Sequence, residues 1–319
     1  MCHDLAVSEL LVMSEAVVRM ALPLDGLAES LTAALISLAR GTASVPARIA
    51  ARSPAGLLGA MPGYVPGLGL AGKLVSVYPA NPQVNLPAHQ ALIAVFDEST
   101  GTPVAVMDAT YITAIRTAMT SALAARALTG ARRRSLAVIG AGVQAEAHLK
   151  AFSHLLGPTD VRVASRRTPR AIALAERYPP AVAAPSIREA VLGVDMVCCC
   201  TDAREAVIES DWITPGVHVG SVGSGPELPP GLLARSRLFV ESRAATLPPP
   251  AGAVELQGCD SASLTEIGTV LSGEAPGRSS DDDITVFKST GHAVEDVAAA
   301  ALAVSRARDL GYGVTVAMA

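Results

Sequence analysis

The sequence predicts an α/β fold: a doubly wound parallel sheet with helices on both faces, preceded by a separate α+β domain. Three observations predict it. Short apolar runs (LAVIG, VRVAS, DMVCCCT, VHVGSVG and RLFVES) alternate with helical patterns after residue 135, which is the order of βαβ units. The first of these runs stops at Gly140-Ala141-Gly142, and a helical pattern opens at Val143. One helical stretch and several strand-like pieces come before that turn, and they form a domain of their own.

The elements follow from local patterns. Residues 14–40 carry helical periodicity, interrupted at Pro23 and closed by Gly41, where a helix end favours glycine. A strand is expected around 47–51. The segment GLGLAGKLVSVYPANP is extended, with Lys73 amid apolar neighbours. ALIAVFDESTGTPVAVMDA reads as a hairpin around Glu98-Ser99-Thr100-Gly101. The alanine-rich RTAMTSALAARAL predicts a helix over 115–128, ended by Gly130. Further helices are expected at 143–156 and 169–178. TLPPPAG and PGRSSDDD are loops, and EDVAAAALAVSRARDLGYG is a final helix.

Length and composition bound the rest. A chain of 319 residues, half of them apolar, has room for two domains and a large core. Its net charge of −4 is scattered, which offers no footprint for nucleic acid or anionic lipid. Arg132-Arg133-Arg134 reads as a solvated strand edge and Asp281-Asp282-Asp283 as a solvated loop. Cys198-Cys199-Cys200 lies inside an apolar stretch, a spacing that suits neither a disulfide nor a zinc site. His148 and His154 do not share a helix face, so no metal is expected. With no signal peptide and no apolar segment long enough to span a bilayer, a soluble, cytoplasmic protein is expected.

GAGVQA, residues 140–145, is a G-x-G-x-x-A turn in the context that gives such a motif meaning: a strand before it, a helix after it, a second strand about twenty residues on. Gly140 permits the tight turn, Gly142 lets a pyrophosphate approach the backbone, and Ala145 lets the helix pack on the sheet. Ala141, Val143 and Gln144 complete the phosphate cradle, with the helix N-terminus supplying N–H groups. This is the Rossmann arrangement. An NAD-binding chain usually carries an acid at the end of the second strand, to hold the ribose hydroxyls. Here Ser165-Arg166-Arg167-Thr168 stands there instead. Guanidinium groups pair with a 2′-phosphate that a carboxylate would repel. NADPH is therefore the expected cofactor, with NADH as the alternative and solvated arginines as the bland reading.

Several segments together resemble the ornithine cyclodeaminase/mu-crystallin family: PARIA (46–50), GKLVSVYPANP (72–82), FDESTGTPVAVMDATYITAIRTAMTSALAAR (96–126), GAGVQAEAHL (140–149) and DDDITVFKSTGHAVEDVAAA (281–300). The resemblance runs over most of the chain in the family's order. It implies a homodimer whose substrate-binding and dimerisation domain (1–117, completed by a C-terminal helix at about 297–319) is split around a Rossmann domain (118–296). It also implies a small α-amino or α-imino acid substrate. Carried over by position, Arg48, Lys73 and Arg116 match the residues that hold the substrate carboxylate, and fixing that group beside a nicotinamide is what the chemistry needs. For Arg48 and Arg116 an internal salt bridge is the competing reading; for Lys73 it is a side chain reaching the surface. Thr117 matches a phosphate-contacting position at a helix start. Thr201, Ser221 and Val222 lie at strand ends where the cofactor belongs, and Ser289 and Gly291 in the segment that closes on the nicotinamide. His89 and His292 are read as bystanders.

One departure discriminates within the family. Cyclodeaminases and the related alanine dehydrogenases carry an aspartate in a stretch like G-x-D-x-P-G-K-x-E-L. This chain reads VGSVGSGPELPPG over 219–231, a shorter loop with no aspartate. Without that acid, oxidation of a free amine loses a base and an anchor for the ammonium. An imine needs only a hydride, a proton and a held carboxylate. The expected activity is therefore NADPH-dependent reduction of a cyclic α-imino acid of the Δ1-pyrroline- or Δ1-piperideine-2-carboxylate type. The alternatives are an ornithine cyclodeaminase, were Glu227 to fill the gap, and a cofactor-binding protein that only binds ligand. Glu227 itself is expected to be solvated, as loop glutamates usually are.

Overall fold

The computed structural model describes residues 8–130, 134–249 and 252–318. The chain divides into two units, residues 1–116 with 292–319 and residues 117–291. Cys2, Arg132 and Arg133 lie outside the described residues; Arg134 is exposed.

The first unit opens with strand β1 (Ser8–Met13), which no alternation in the sequence announces. Helices α1 (Glu15–Ala21) and α2 (Leu24–Ala39) follow, parted at Pro23 as expected. The Ser14 hydroxyl accepts the Val17 N–H at the start of α1, an ordinary helix cap. Strands β2 (Ile49–Arg52), β3 (Leu57–Val65), β4 (Gly69–Val77), β5 (His89–Phe96) and β6 (Pro103–Asp108) form an antiparallel meander. Helix α3 (Thr110–Leu128) starts earlier than its alanine-rich part suggests. The Asp108 carboxylate accepts the Thr110 N–H at 2.9 Å and so supplies a cap at that point.

The second unit runs through β7 (Ser135–Ile139), α4 (Val143–Leu155), β8 (Asp160–Ala164), α5 (Thr168–Ala175), β9 (Ala181–Ala183), α6 (Ile187–Val191), β10 (Met196–Cys199), β11 (His218–Ser221), α7 (Pro230–Leu233), β12 (Arg237–Val240), β13 (Thr265–Glu266), α8 (Ile267–Leu271) and β14 (Thr285–Lys288). Its sheet has the order β13-β12-β14-β11-β10-β7-β8-β9, and every neighbouring pair is parallel. Strands buried on both faces read as continuous apolar runs, which is why LAVIG and MVCCC were legible. Cys198, Cys199 and Cys200 are buried here, and burial pushes their thiols well above the ordinary range. The strand order reverses between β7 and β10. In open sheets of this kind, ligands bind outside the carboxyl ends of the strands at such a reversal.

The chain re-enters the first unit at His292 and ends with α9 (Ala293–Leu310) and β15 (Val314–Met318). The first unit's sheet is β15-β1-β6-β5-β4-β3-β2. Helix α9 lies close on one face of it; a Cβ added at Gly63 would stand 3.2 Å from that of Ala293. Met61, Ala71, Ile93, Val95, Ala105 and Met107 are buried on that face, and so is Lys73. The opposite face exposes Leu58, Leu74, Leu92, Val12, Val314 and Val316, with Leu74 directly across from Leu92. Among the described residues no single helix is long and apolar enough to cross a membrane.

Candidate active site

In the first unit, β4 and α3 bring two of the expected cations to the start of α9. Lys73 points to the buried face of β4 and is 2 % exposed; Arg116, on α3, is 3 % exposed. Both have partners within the protein. Lys73 Nζ donates to Asp296 Oδ1 at 2.9 Å. Arg116 Nε donates to the same oxygen at 3.1 Å, and Arg116 Nη1 to Glu295 Oε2 at 2.6 Å. The surface reading for Lys73 is thus overturned, since burial of an ammonium requires a partner and Asp296 is one. The internal salt bridge weighed for Arg116 is present. Arg48, half-buried just before β2, acts on His292 together with Glu295, Asp296 and Arg116, so it faces the same cluster. His89 is exposed at the first position of β5.

The charges are strongly coupled. Burial above all, with Arg116 beside it, lowers the Lys73 pKa to about 8 against the upward pull of Asp296 and Glu295. Burial opposes ionisation of Asp296, yet Arg116 and Lys73 outweigh it and hold the carboxyl below its usual range. His292, at the N-cap of α9, is kept neutral-leaning by burial, and its N–H donates to Glu295 Oε2 at 3.0 Å. Sequence reading missed Glu295 and Asp296 as site residues. The signal was present in the motif FKSTGHAVED, where two acids stand directly before the apolar run 297–304.

The second unit carries the dinucleotide turn. Gly140 has φ +126°, and a Cβ there would run into the Cys200 carbonyl oxygen, so β7 and β10 can approach this closely only at glycine. Gly142 is different: nothing lies within 4 Å of an added Cβ. It is exposed, as is Val143, and α4 begins there without a side-chain cap. Ala141 and Gln144 are half-buried beside them. This is an open cradle at a long helix's N-terminus and fits a pyrophosphate. At the end of β8, Ser165 forms a turn, its hydroxyl accepting the Arg167 N–H at 3.2 Å. Arg166, Arg167 and Thr168 are exposed there, a placement that fits a phosphate. Thr117 is not at a helix start: α3 begins at Thr110, because of the Asp108 cap, and Thr117 is buried mid-helix.

Two buried glutamates organise the remaining strand ends. Glu227 is fully buried rather than solvated. It accepts from Thr201 N and Oγ1 at 2.6 and 2.7 Å, Ser221 Oγ at 2.8 Å, Val222 N at 3.2 Å and Gly223 N at 2.7 Å. Five donors aimed at one carboxyl explain why this glutamate is inside. They also leave it committed to the loop, not to a ligand. A Cβ at Gly225 would collide with the Ala203 carbonyl oxygen, so the shortened loop lies tightly on the segment after β10. Glu241, at the end of β12, accepts from Ser289 Oγ at 2.5 Å, Thr290 N at 3.1 Å and Gly291 N at 3.2 Å. Lys288 is 2 % exposed and donates to Ser221 Oγ at 2.9 Å and Gly223 O at 2.7 Å, with Glu255 at 3.2 Å. The expected cofactor positions Thr201, Ser221, Val222, Ser289 and Gly291 are thereby brought to one edge of the sheet. Of the residues that hold them, Lys288 and Glu227 stand in segments already singled out, FKSTGHAVED and VGSVGSGPELPPG, without being read as structural, and Glu241 and Glu255 stand in none.

Comparison with known proteins gives relatives over nearly the whole chain. The model of the ornithine cyclodeaminase/mu-crystallin family matches residues 8–310. Ketimine reductase mu-crystallin of Mus musculus is 38 % identical over 253 residues, 77 % of this chain and 79 % of that protein. Among solved structures, Thermococcus litoralis Δ1-pyrroline-2-carboxylate reductase in complex with NADH and L-proline is similar with a TM-score of 0.91 and 31 % identity, covering 96 % of this chain and 100 % of that one. An archaeal alanine dehydrogenase dimer with bound NAD is similar with a TM-score of 0.85 and 29 % identity, covering 97 % and 99 %.

Proposed function

Because the chain belongs to the ornithine cyclodeaminase/mu-crystallin family, we propose that it is an NADPH-dependent imine reductase. Its substrate would be a small cyclic α-imino acid of the Δ1-pyrroline- or Δ1-piperideine-2-carboxylate type, reduced to the L-amino acid. The observation that carries this reading is the gathering of cations in the first unit's buried cluster. Lys73 and Arg116 are buried against Asp296 and Glu295, and Arg48 acts on His292 beside them, a setting that suits an anionic carboxylate. The two acids are paired with cations there, and Glu227 is taken up by its loop. An ammonium group on a substrate would therefore meet cations, not an anchoring acid, which disfavours oxidation of a free amino acid. The named relatives, a ketimine reductase and a pyrroline-carboxylate reductase, support the same chemistry.

In this reading the cations orient the substrate carboxylate and Lys73 gives a proton to the imine nitrogen. The cradle at Gly140, Ala141, Gly142, Val143 and Gln144 holds the pyrophosphate, and Ser165, Arg166, Arg167 and Thr168 hold the 2′-phosphate. When bound, the reduced nicotinamide supplies hydride to the imine carbon. Thr201, Ser221, Val222, Ser289 and Gly291 shape the edge on which that ring rests. Cations held in a buried, water-poor place act more strongly on an anion than they would in solvent. The test is to incubate the purified protein with NADPH and Δ1-piperideine-2-carboxylate, and separately with ornithine and NAD. Oxidation of NADPH with formation of pipecolate is expected; proline and ammonia from ornithine would overturn the assignment.

The working form would be a cytoplasmic homodimer. The outer face of the first unit's sheet is apolar across Leu58, Leu74, Leu92, Val12 and Val314, and such a face is normally covered. The likeness to a dimeric alanine dehydrogenase makes a second copy the natural cover. Placing glutamate at both Leu74 and Leu92 is expected to give a monomer by sedimentation, whereas an unchanged dimer would put the interface elsewhere.

A further inference from the structure

Where this chain needs a positive charge, it almost always uses arginine. It has 22 arginines and three lysines, Lys73, Lys150 and Lys288. Lys150 is exposed. Lys73 stands in a cluster whose other two cations are arginines, although a guanidinium would give more hydrogen bonds to a carboxylate pair. What lysine offers and arginine cannot is a proton that comes off. That proton is held against a single carboxylate: Asp296 Oδ1 accepts from Lys73 Nζ and from Arg116 Nε, and Asp296 Oδ2 lies 2.8 Å from Lys73 Nζ.

Resting on the imine-reductase reading, we propose that Asp296 is the positioning residue of the site. Its one carboxylate fixes Lys73 beside Arg116 and keeps the proton on Lys73 until the imine nitrogen takes it. In that step an N–H bond of Lys73 breaks and one forms on the substrate nitrogen. The hydride pair from the reduced nicotinamide enters the imine carbon, C=N becomes CH–NH, and Lys73, left as a neutral amine, recovers a proton from water.

The surroundings of Lys73 make this dependence on Asp296 strong. The elements packed on β4 turn Asp296 and Glu295 (from α9), Arg116 (from α3) and His89 (from β5) towards it. Burial and Arg116 favour the neutral amine, while Asp296 is the larger of the two carboxylate effects that favour the ammonium. The sign follows: removing the charge of Asp296 lowers the Lys73 pKa, so the alkaline fall of reduction moves to lower pH. A carboxylate at this distance shifts a neighbour by about one to three pH units.

Three lysines make the test direct. With lysine labelled at the ε carbon in the full chain, NMR titration yields three signals, assigned by single Lys→Arg variants. Lys73 is expected to titrate near pH 8, against about 10.4 for a free side chain. In Asp296→Asn its midpoint should fall by roughly one unit or more, and the alkaline limb of Δ1-piperideine-2-carboxylate reduction should fall with it. Asp296→Glu should restore both. A wild-type Lys73 midpoint above pH 10 would overturn the proposal without any variant. So would an Asp296→Asn protein whose rate drops equally at every pH. If Asp296→Asn does not fold, Glu295→Gln, which removes the smaller of the two carboxylate effects on Lys73, must still move the midpoint down, and no movement at all counts against the coupling. A protein that titrates as described but reduces no imine would sink the reductase reading and leave the Asp296–Lys73 pairing standing.

Discussion

The two units satisfy most of their buried carboxylates differently, although each also sets one buried lysine against an acid, Lys73 against Asp296 and Lys288 against Glu255. In the first unit the acids Glu295 and Asp296 are satisfied by the side chains of Arg116 and Lys73. In the second, Glu227 and Glu241 are satisfied mostly by backbone N–H groups and hydroxyls of loops. Backbone donors are fixed by the fold, so a carboxylate held by them shapes a loop and is unavailable for exchange. Side-chain ion pairs do something else: each partner sets the other's proton affinity, as Asp296 and Lys73 do. Buried acids of equal burial therefore divide into those that build an edge and those that tune a site.

The difference can be broken experimentally, beginning where the effect should be greatest. Replacing Lys73 with methionine should lower kcat/KM for the imine by about 10²–10⁴-fold, with the fold kept, as circular dichroism would show. A loss of only a few fold would reduce the cluster to a structural ion network. Glu227→Gln puts an amide NH₂ among five donors. It should lower stability by about 2–4 kcal/mol in urea titration and leave the pH profile of reduction in place. A shifted profile with unchanged stability would make Glu227 a participant in the reaction. Replacing exposed Arg166 and Arg167 with alanine should raise the KM for NADPH by about tenfold or more, through loss of charged hydrogen bonds. NADH should change by less than about twofold; equal losses for the two cofactors would refute the phosphate role.

The legible parts of the fold were those written in one window of sequence. GAGVQA between an apolar strand and a helix needs only neighbours along the chain to be recognised, and Gly140 and Gly142 occupy the turn it implies. The hairpin around 98–101 and the break at Pro23 are of the same kind. Strands β1, β3 and β15 were not legible. LLGAMPGYV in β3 is apolar at nearly every position, so alternation, the signal of a half-solvated strand, is absent from it. Strands β1 and β15 are short and pair with each other from opposite ends of the chain, and β15 lies where the final helix was expected to continue.

At the site the sequence by itself determined which residue types were available: three cations in matching segments, a phosphate turn, two arginines after the second strand, and a loop without its aspartate. Only tertiary structure decided what each is bound to. Lys73 and Asp296 are 223 positions apart, beyond any local pattern, and their pairing depends on α9 returning to the first unit. Glu227 was expected in solvent because isolated glutamates avoid burial. The structure buries it because loops from two strand ends converge five donors on it. Periodicity is a property of neighbours in the chain, whereas charge compensation belongs to neighbours in space.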